Sequence, residues 1–501
     1  MRVTVASRRS DLARIQAYQV GEALLAAHPQ LQIDYSFHES LGDKNLNDPL
    51  WKMPEKGVFT QDFRAGLLRG DFDLVVHSWK DLAIEDDPET EIAATLPRAD
   101  ARDLVLVRKD RWAEVERTGV VTILTSSPRR GYNLDSFLRD ALPAKITQLN
   151  FVNVRGNVPT RVRKLLQSET DGLIVAKAAL DRLFEAPAVA TDDFGGTKKD
   201  LREALSQCRW MVMPLRENPS APAQGALAIE ISRRRHDLRE LVASINCSDT
   251  YSAVERERAI LRSFGGGCHQ KIGASVLRRP FGEITFLRGI SDGGQRLDRS
   301  TLEPSTPRPA QIERDSMWPE SGTGFEMFKR EKVPAVQTAD CNALWVARAV
   351  ALPKEWSVDS KIVWASGVQT WKHLAGRGVW VNGCNESLGE QESPRIQTIA
   401  GEPLKWLKLT HDRGYTDGAM PVCTTYSLCP ASESLDLRTK RYFFWKSGSS
   451  FEQALSLNPW LKEMTHFCGP GNTQKILQRN GVEPHVFLDY AGWLREMSVR
   501  Q

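Results

Sequence analysis

A doubly wound α/β protein is expected over the first two-thirds of this chain, and three observations predict it. Short apolar runs recur at Val3–Ala6, Asp73–His77, Val120–Leu124 and Gly172–Ala176. Helix-period segments alternate with them, the pattern of strands and helices laid down in turn. Polar segments rich in arginine and glycine fall directly after the runs, where a strand hands over to a helix. Runs this short and this apolar suit strands buried on both faces of a parallel sheet.

The first run is followed by Ser10 and Asp11, either of which can cap a helix with Leu12, Ile15, Val20 and Leu24 on one face. From about 292 to 341 the periodicity fails. Gly293-Gly294 is followed by Pro304, Pro307, Pro309, Pro319, Gly322 and Gly324, which reads as a domain edge and then a linker. A second α/β pattern opens at Leu344-Trp345-Val346, continues through Ile362–Trp364 and Tyr442–Phe444, and ends with a helix near 471–480. No short tandem repeat is visible.

The chain has 501 residues, room for three or four domains, with 41% hydrophobic and 26% charged residues. Its net charge of +4 argues against a general nucleic-acid binder and is compatible with a local basic pocket. Its 8 cysteines include no C-x-x-C pair, which argues against a zinc ribbon or a thioredoxin-like motif, and no metal site is expected. Met1–Val5 reads as a strand rather than a signal peptide, and no apolar run would span a bilayer. A cytoplasmic protein with reduced thiols and no membrane or obligate protein partner is expected.

Four segments could carry chemistry. His77–Asp81 follows an apolar strand, where open α/β sheets place their ligands. Asp81 beside Lys80 could hold a carboxylate against a cationic nitrogen, or could be a helix cap or surface ion pair. Thr125–Arg130 also follows a strand: Ser127 can cap, Pro128 suits the first helical position, and Arg129 and Arg130 oppose the helix dipole unless an anion is bound. The alternative is two solvated arginines. Asn153–Asn157 leads to Thr160-Arg161, and Arg8-Arg9 precede the first helix, so three strand-to-helix junctions carry arginine. Together they favour a ligand with many carboxylates, phosphate not being excluded. Gly265-Gly266-Gly267-Cys268 is a flexible loop ending in a thiol, either reactive or a free structural cysteine. Pro222–Leu227 reads as a buried turn into a strand.

In this order, these segments resemble hydroxymethylbilane synthase, also called porphobilinogen deaminase, over about residues 1–300. The match runs through Ala6–Ala13, Gly42–Lys44, Glu55–Phe59, Val75–Asp81, Thr125–Arg130, Val154–Asn157, Glu257–Ala259 and Gly266–Cys268. The resemblance implies two periplasmic-binding-protein-like doubly wound domains (1–98 with 205–235, and 99–204) and a small α+β third domain at 236–315. It implies a dipyrromethane cofactor joined to Cys268 as a thioether, with porphobilinogen as substrate. Asp81 and Lys80 would be catalytic. Asp81, Lys80, Arg129, Arg130, Ser126 and Ser127 would hold the cofactor, and Arg8, Ser10, Lys56, Arg155, Arg161 and Gln224 the substrate. The sequence departs from the family at Leu124, Pro128 and Gly265, and shows no final helix after Leu297. None of these departures is expected to abolish activity.

After a linker at 316–341, residues 342–501 are similar to uroporphyrinogen-III synthase, a two-lobed α/β enzyme. The likeness is carried by Ala343–Arg348, Trp364–Gly367, Trp445–Ser449 and Cys468–Thr473. It implies ring closure with one pyrrole inverted, and makes Tyr426 the residue that assists hydroxyl departure. The stretch between the first strand and Ile362 is shorter than in that family. The rival readings are an anion receptor for the N-terminal part and a non-catalytic interaction module for the C-terminal part.

Overall fold

The computed structural model describes residues 1–39, 61–266, 270–310, 312–320, 327–335, 340–414, 420–431 and 437–498. The chain divides into two compact units. The first comprises Met1–Arg139, Ala144–Leu277 and Phe286–Arg299, and the second Asp140–Pro143, Arg278–Thr285 and Ser300–Gln501.

In the first unit the strands are β1 (Arg2–Arg8), β2 (Gln32–His38), β3 (Leu74–Ser78), β4 (Thr90–Ala94), β5 (Asp103–Arg108), β6 (Val120–Leu124), β7 (Gln148–Val152), β8 (Gly172–Ala176), β9 (Cys208–Val212) and β10 (Leu227–Ser232). They form two sheets, β2-β1-β3-β10-β4 and β7-β6-β8-β5-β9. Both follow one plan. Three strands pair in parallel, and one strand runs antiparallel to its neighbours: β10 in the first sheet, β5 in the second. Each antiparallel strand is the one received when the chain crosses from the other sheet. This is the expected pair of periplasmic-binding-protein-like lobes. Val3, Val5, Leu74 and Ile229 close the core of one, and Leu104, Val121, Ile123 and Leu173 that of the other, all fully buried.

One expected boundary moves. The resemblance places residues 205–235 in the first domain, but β9 pairs with β5 in the second sheet, so the return crossing falls at 213–226. Cys208–Val212 has no alternation and directly follows the helix Gly195–Ser206, so nothing local marks which sheet it joins. The helix Asp11–Ala27 begins where expected, but the Ser10 side chain makes no capping bond. After β10, the helices His236–Ala243 and Ser248–Ser263 precede the sheet β11-β12-β13 (Gly273–Arg279, Gly282–Ile290, Arg296–Pro304).

The second unit holds β14 (Met317–Trp318), β15 (Phe328–Lys332), β16 (Ala343–Val346), β17 (Ile362–Ala365), β18 (Gly383–Cys384), β19 (Trp406–His411), β20 (Val422–Pro430), β21 (Tyr442–Trp445), β22 (Thr465–Cys468) and β23 (His485–Val486). They form the sheets β15-β20-β19-β16-β17-β18 and β14-β21-β22-β23. All pairings are parallel except β15 with β20. The expected linker at 316–341 thus contains two strands. Met317–Trp318 is too short to show a period, and the exposed charges of Phe328–Lys332 hide an edge strand. A helix at Tyr490–Met497 also follows the one expected to end the pattern. No helix among the described residues is long and apolar enough to cross a membrane.

β3, whose end carries Lys80 and Asp81, is held to β10 by buried charge as well as by its ladder. His77 Nε2 meets Glu230 Oε2 at 2.8 Å. Thr90 Oγ1 and Arg64 Nε donate to Glu230 Oε1 at 2.6 and 2.9 Å. Burial pushes the Glu230 carboxyl up, but His77, Thr90 and Arg64 reverse this and hold it at about 2. Because the folded value lies below the unfolded one, the stabilisation is present above roughly pH 4–5 and is lost as pH falls towards 2. The contribution is about 3 kcal/mol. Glu230→Gln is therefore expected to lower the urea midpoint at pH 7, with the gap to wild type narrowing between pH 5 and pH 3. A gap independent of pH would refute this account.

Candidate active site

The turn after β3 presents the first two residues of the site. Trp79–Asp81 forms one 3-10 turn, and buried Trp79 anchors it by donating its backbone N–H to Ala226 O (3.1 Å) and packing on the Tyr251 ring (5.2 Å). Asp81 is exposed and Lys80 half-buried. Burial pushes Lys80 down to about 8. Asp81 and Asp103 resist that fall, while Arg130 and Arg161 add to it. The charges acting on one ammonium thus come from four separate stretches of chain.

The loop after β6 supplies the next group. Ser126 Oγ donates to Val154 O (2.9 Å), and Thr125 Oγ1 accepts from the Ser127 N–H (3.2 Å). The helix Pro128–Ala141 starts as expected, but its two arginines are buried rather than solvated. Their anion is a protein carboxylate. Arg129 Nη2 and Arg130 Nη2 donate to the two oxygens of Asp103 at 2.8 and 2.7 Å. Arg129 Nη1 also donates to Asn218 Oδ1 (2.9 Å) and Pro219 O (2.6 Å), and Arg130 Nη1 to Ile174 O (3.2 Å). Asn218 Nδ2 and Gln224 Nε2 complete the set, each 2.8 Å from Asp103. Burial alone would raise the Asp103 carboxyl, but Arg130 and Arg129 overcome it and hold the group far below the carboxylate range.

Arg129 and Gln224, expected to contact ligands, therefore direct these hydrogen bonds to the protein itself. Arg130 keeps a buried Nε with no hydrogen-bond partner. Sequence reasoning missed Asp103 altogether. The one available signal was an acidic residue opening the apolar run Leu104–Val107.

The turn after β7 brings Arg155 and Arg161. Asn157 caps the helix Val158–Gln167 by accepting from the Thr160 N–H (2.9 Å), and Arg161 Nε donates to Gly156 O (2.7 Å). Burial lowers Arg161 to about 10, Arg130 and Arg155 lower it further, and Asp81 opposes them. Lys80, Asp81, Arg130, Arg155 and Arg161 thus share one electrostatic neighbourhood. Arg8 and Ser10 lie at and just beyond the end of β1, next to β3 in the same sheet. Tyr426 belongs to the second unit.

Lys56 and Cys268 lie outside the described residues, but the stem leading to the cysteine loop is described. Gly265 and Gly266 have φ of +93° and +67°, values that favour glycine. A Cβ on Gly266 would lie 3.3 Å from Ile84 Cδ1. From the preceding helix, Arg258 donates to Ala83 O and Arg262 to Ile84 O. The stem is thus bonded to the residues that directly follow the Asp81 turn. The cationic cluster and its orphaned Arg130 Nε suit a group bearing several carboxylates.

The family model described as porphobilinogen deaminase, dipyromethane cofactor binding domain, matches residues 3–240. The porphobilinogen deaminase of Desulfitobacterium hafniense is 34% identical over 307 residues, which are 61% of this chain and 90% of that protein. That of Clostridium novyi is 32% identical over 304 residues, 60% and 92% of the two chains. The chain belongs to the porphobilinogen deaminase family. Its N-terminal part is a hydroxymethylbilane synthase, a transferase of tetrapyrrole biosynthesis, and its cofactor is dipyrromethane. These matches account for about three-fifths of the chain and establish no kinship between the remainder and uroporphyrinogen-III synthases.

In this deaminase, Asp103→Ala would strand two buried guanidiniums and is expected to cost about 3–5 kcal/mol. A urea melt would show it as a large fall in midpoint. A midpoint within experimental error of wild type would overturn the role given to Asp103.

Proposed function

We propose that the first unit condenses four porphobilinogen molecules into hydroxymethylbilane, releasing ammonia, with dipyrromethane attached through Cys268 Sγ. The observation that carries this reading is the bonding of the glycine-loop stem to Ala83 and Ile84, two and three residues after Asp81. When bound, the cofactor supplies the free pyrrole carbon from which the chain is extended. Asp81, exposed on a rigid turn, stabilises positive charge on the substrate pyrrole as ammonia departs. Arg155, Arg161 and Arg130 pair with acetate and propionate groups, with Arg8, Ser10, Lys56, Ser126 and Ser127 as further contacts. Arg129 and Gln224 act one step back, by fixing Asp103 and through it Arg130. Lys80 adds a cation that loses its proton as pH rises through about 8. The chemistry belongs in the cytoplasm.

A second reading concerns the C-terminal unit. Its two α/β sheets and the strand-to-helix starts at Gly367, Ser447 and Gly471 favour a uroporphyrinogen-III synthase-like module in which Tyr426 assists loss of hydroxyl as water.

Intact mass should exceed the polypeptide by two linked pyrrole rings, an excess absent from Cys268→Ser; equal masses would sink the attachment. Asp81→Ala should lower kcat about a hundred-fold or more. Since Lys80 loses its proton as pH rises through about 8, kcat/KM should fall on that alkaline limb, and Lys80→Arg should move the limb upward. With porphobilinogen as the only substrate, type III product would support the second reading and exclusively type I product would refute it.

A further inference from the structure

The first helix carries a polar face that the deaminase chemistry leaves unused. Asp11, Arg14, Tyr18 and Glu22 recur at steps of three and four along Asp11–Ala27, so they share one side of it. On the opposite side, Ala17, Val20 and Leu24 belong to the core of the lobe that holds β1.

All four polar residues bond to one stretch of the other lobe. Asp11 Oδ2 accepts from Thr197 Oγ1 at 2.6 Å, and Arg14 pairs with Asp192 at 3.0 Å. The Tyr18 hydroxyl donates to Asp192 Oδ2 (2.8 Å) and lies 2.8 Å from Thr191 Oγ1. Glu22 Oε1 accepts the Ala188 N–H at 3.2 Å. Beside them, Gln19 Oε1 accepts from Arg182 Nε (3.2 Å), whose Nη2 donates to Gly225 O in the return crossing (2.8 Å). The Arg14 guanidinium also lies over the Phe194 ring, 5.1 Å from its centre. Tyr18 is buried, and Asp11, Arg14 and Asp192 are largely shielded from water. Shielding strengthens bonds that involve a charged group.

This face stands between two cations of the proposed reaction. Arg8 ends β1, three residues before Asp11. Thr197 lies in the first turn of the helix Gly195–Ser206, which packs against Val158–Gln167, the helix carrying Arg161. A short path therefore joins Arg8 on one lobe to Arg161 on the other, and its middle link is the Asp11–Thr197 bond. An apolar contact tolerates sliding, whereas a row of hydrogen bonds fixes spacing and angle together.

We infer that this row is a clamp that sets the separation of Arg8 and Arg161, making Asp192 and Thr197 positioning residues of the deaminase. They act through the two arginines rather than on the substrate. The inference rests on the reading in which Arg8 and Arg161 pair with substrate carboxylates. Several carboxylates held at once make the rate sensitive to that separation, since a misplacement of about 1 Å can cost about a hundredfold.

Steady-state kinetics of the full chain on porphobilinogen, with the cofactor attached, test this through a double-mutant cycle. Thr197→Val and Asp192→Ala should each lower kcat/KM about tenfold. Asp192→Asn keeps an acceptor for Tyr18 and should recover most of that loss. Arg8→Ala should itself be slower than wild type. In that background Thr197→Val and Asp192→Ala should cost less than about twofold, because a cation that they position is gone. Thermal melts show whether each variant is folded. Folded Thr197→Val and Asp192→Ala variants with wild-type kcat/KM would overturn the clamp, and so would losses equally large with and without Arg8. Arg8→Ala with wild-type kcat/KM would strike out the substrate contact itself, whereas a slow Arg8→Ala without coupling strikes out the clamp alone.

Discussion

A single buried carboxylate organises the first unit. Asp103 accepts hydrogen bonds from Arg129, Arg130, Asn218 and Gln224, donors drawn from one helix start and from the return crossing between the lobes. A lone charge in this position would be strongly unfavourable, and so would either arginine without it. Together they are mutually satisfied, and the arrangement laces the two crossings to each other. Arg98 Nε donates to Gln224 O (2.9 Å), and the Ala99 N–H meets Gly225 O (3.2 Å). Gly225 has φ +87°, and a Cβ there would sit 2.6 Å from Ala99 O, so this close approach requires glycine.

The consequence reaches the site through Arg130. With Asp103 neutralised by two guanidiniums, Asp81 is the remaining carboxylate among the charges acting on Lys80 and Arg161. Cations then outnumber acids around an exposed carboxylate on a rigid turn. That balance suits a growing chain that is polyanionic at its rim and transiently cationic at its reacting ring. In the proposed chemistry, pairing with carboxylates would be spread over several cations, while charge stabilisation would be concentrated in Asp81.

Much of this was legible in sequence. Val120–Leu124 and Gly172–Ala176 are strands at the residues expected, because strands covered on both faces must be continuously apolar. The Lys80–Asp81 turn was legible because a polar segment follows such a run. Asp103 was not, because its partners lie between 26 and 121 residues away and only the crossing topology unites them. The same limit applies to Arg129 and Arg130. Their charge at a helix start left a bound anion and two solvated arginines both open, and sequence could not say that the partner is an internal carboxylate. β9 and the strands inside the expected linker were missed because short or edge strands take their identity from their neighbours.

The second unit shows what connectivity adds. Arg348 and Tyr426 stood out only by resemblance, and His411 had no signal of its own, being one polar residue at the end of Trp406–His411. It becomes informative only when pairing places it level with Arg348 and opposite Tyr426, at the point where the sheet's connections diverge. An unmet imidazole nitrogen elsewhere would be a packing cost with no return. At this edge its Nδ1 is buried without a hydrogen-bond partner, level with Arg348. The same logic locates Asp81 and Lys80 in the first unit, just past the carboxyl end of β3. In both units, backbone topology sets which residues share a sheet edge, and the sequence alone does not show that pairing.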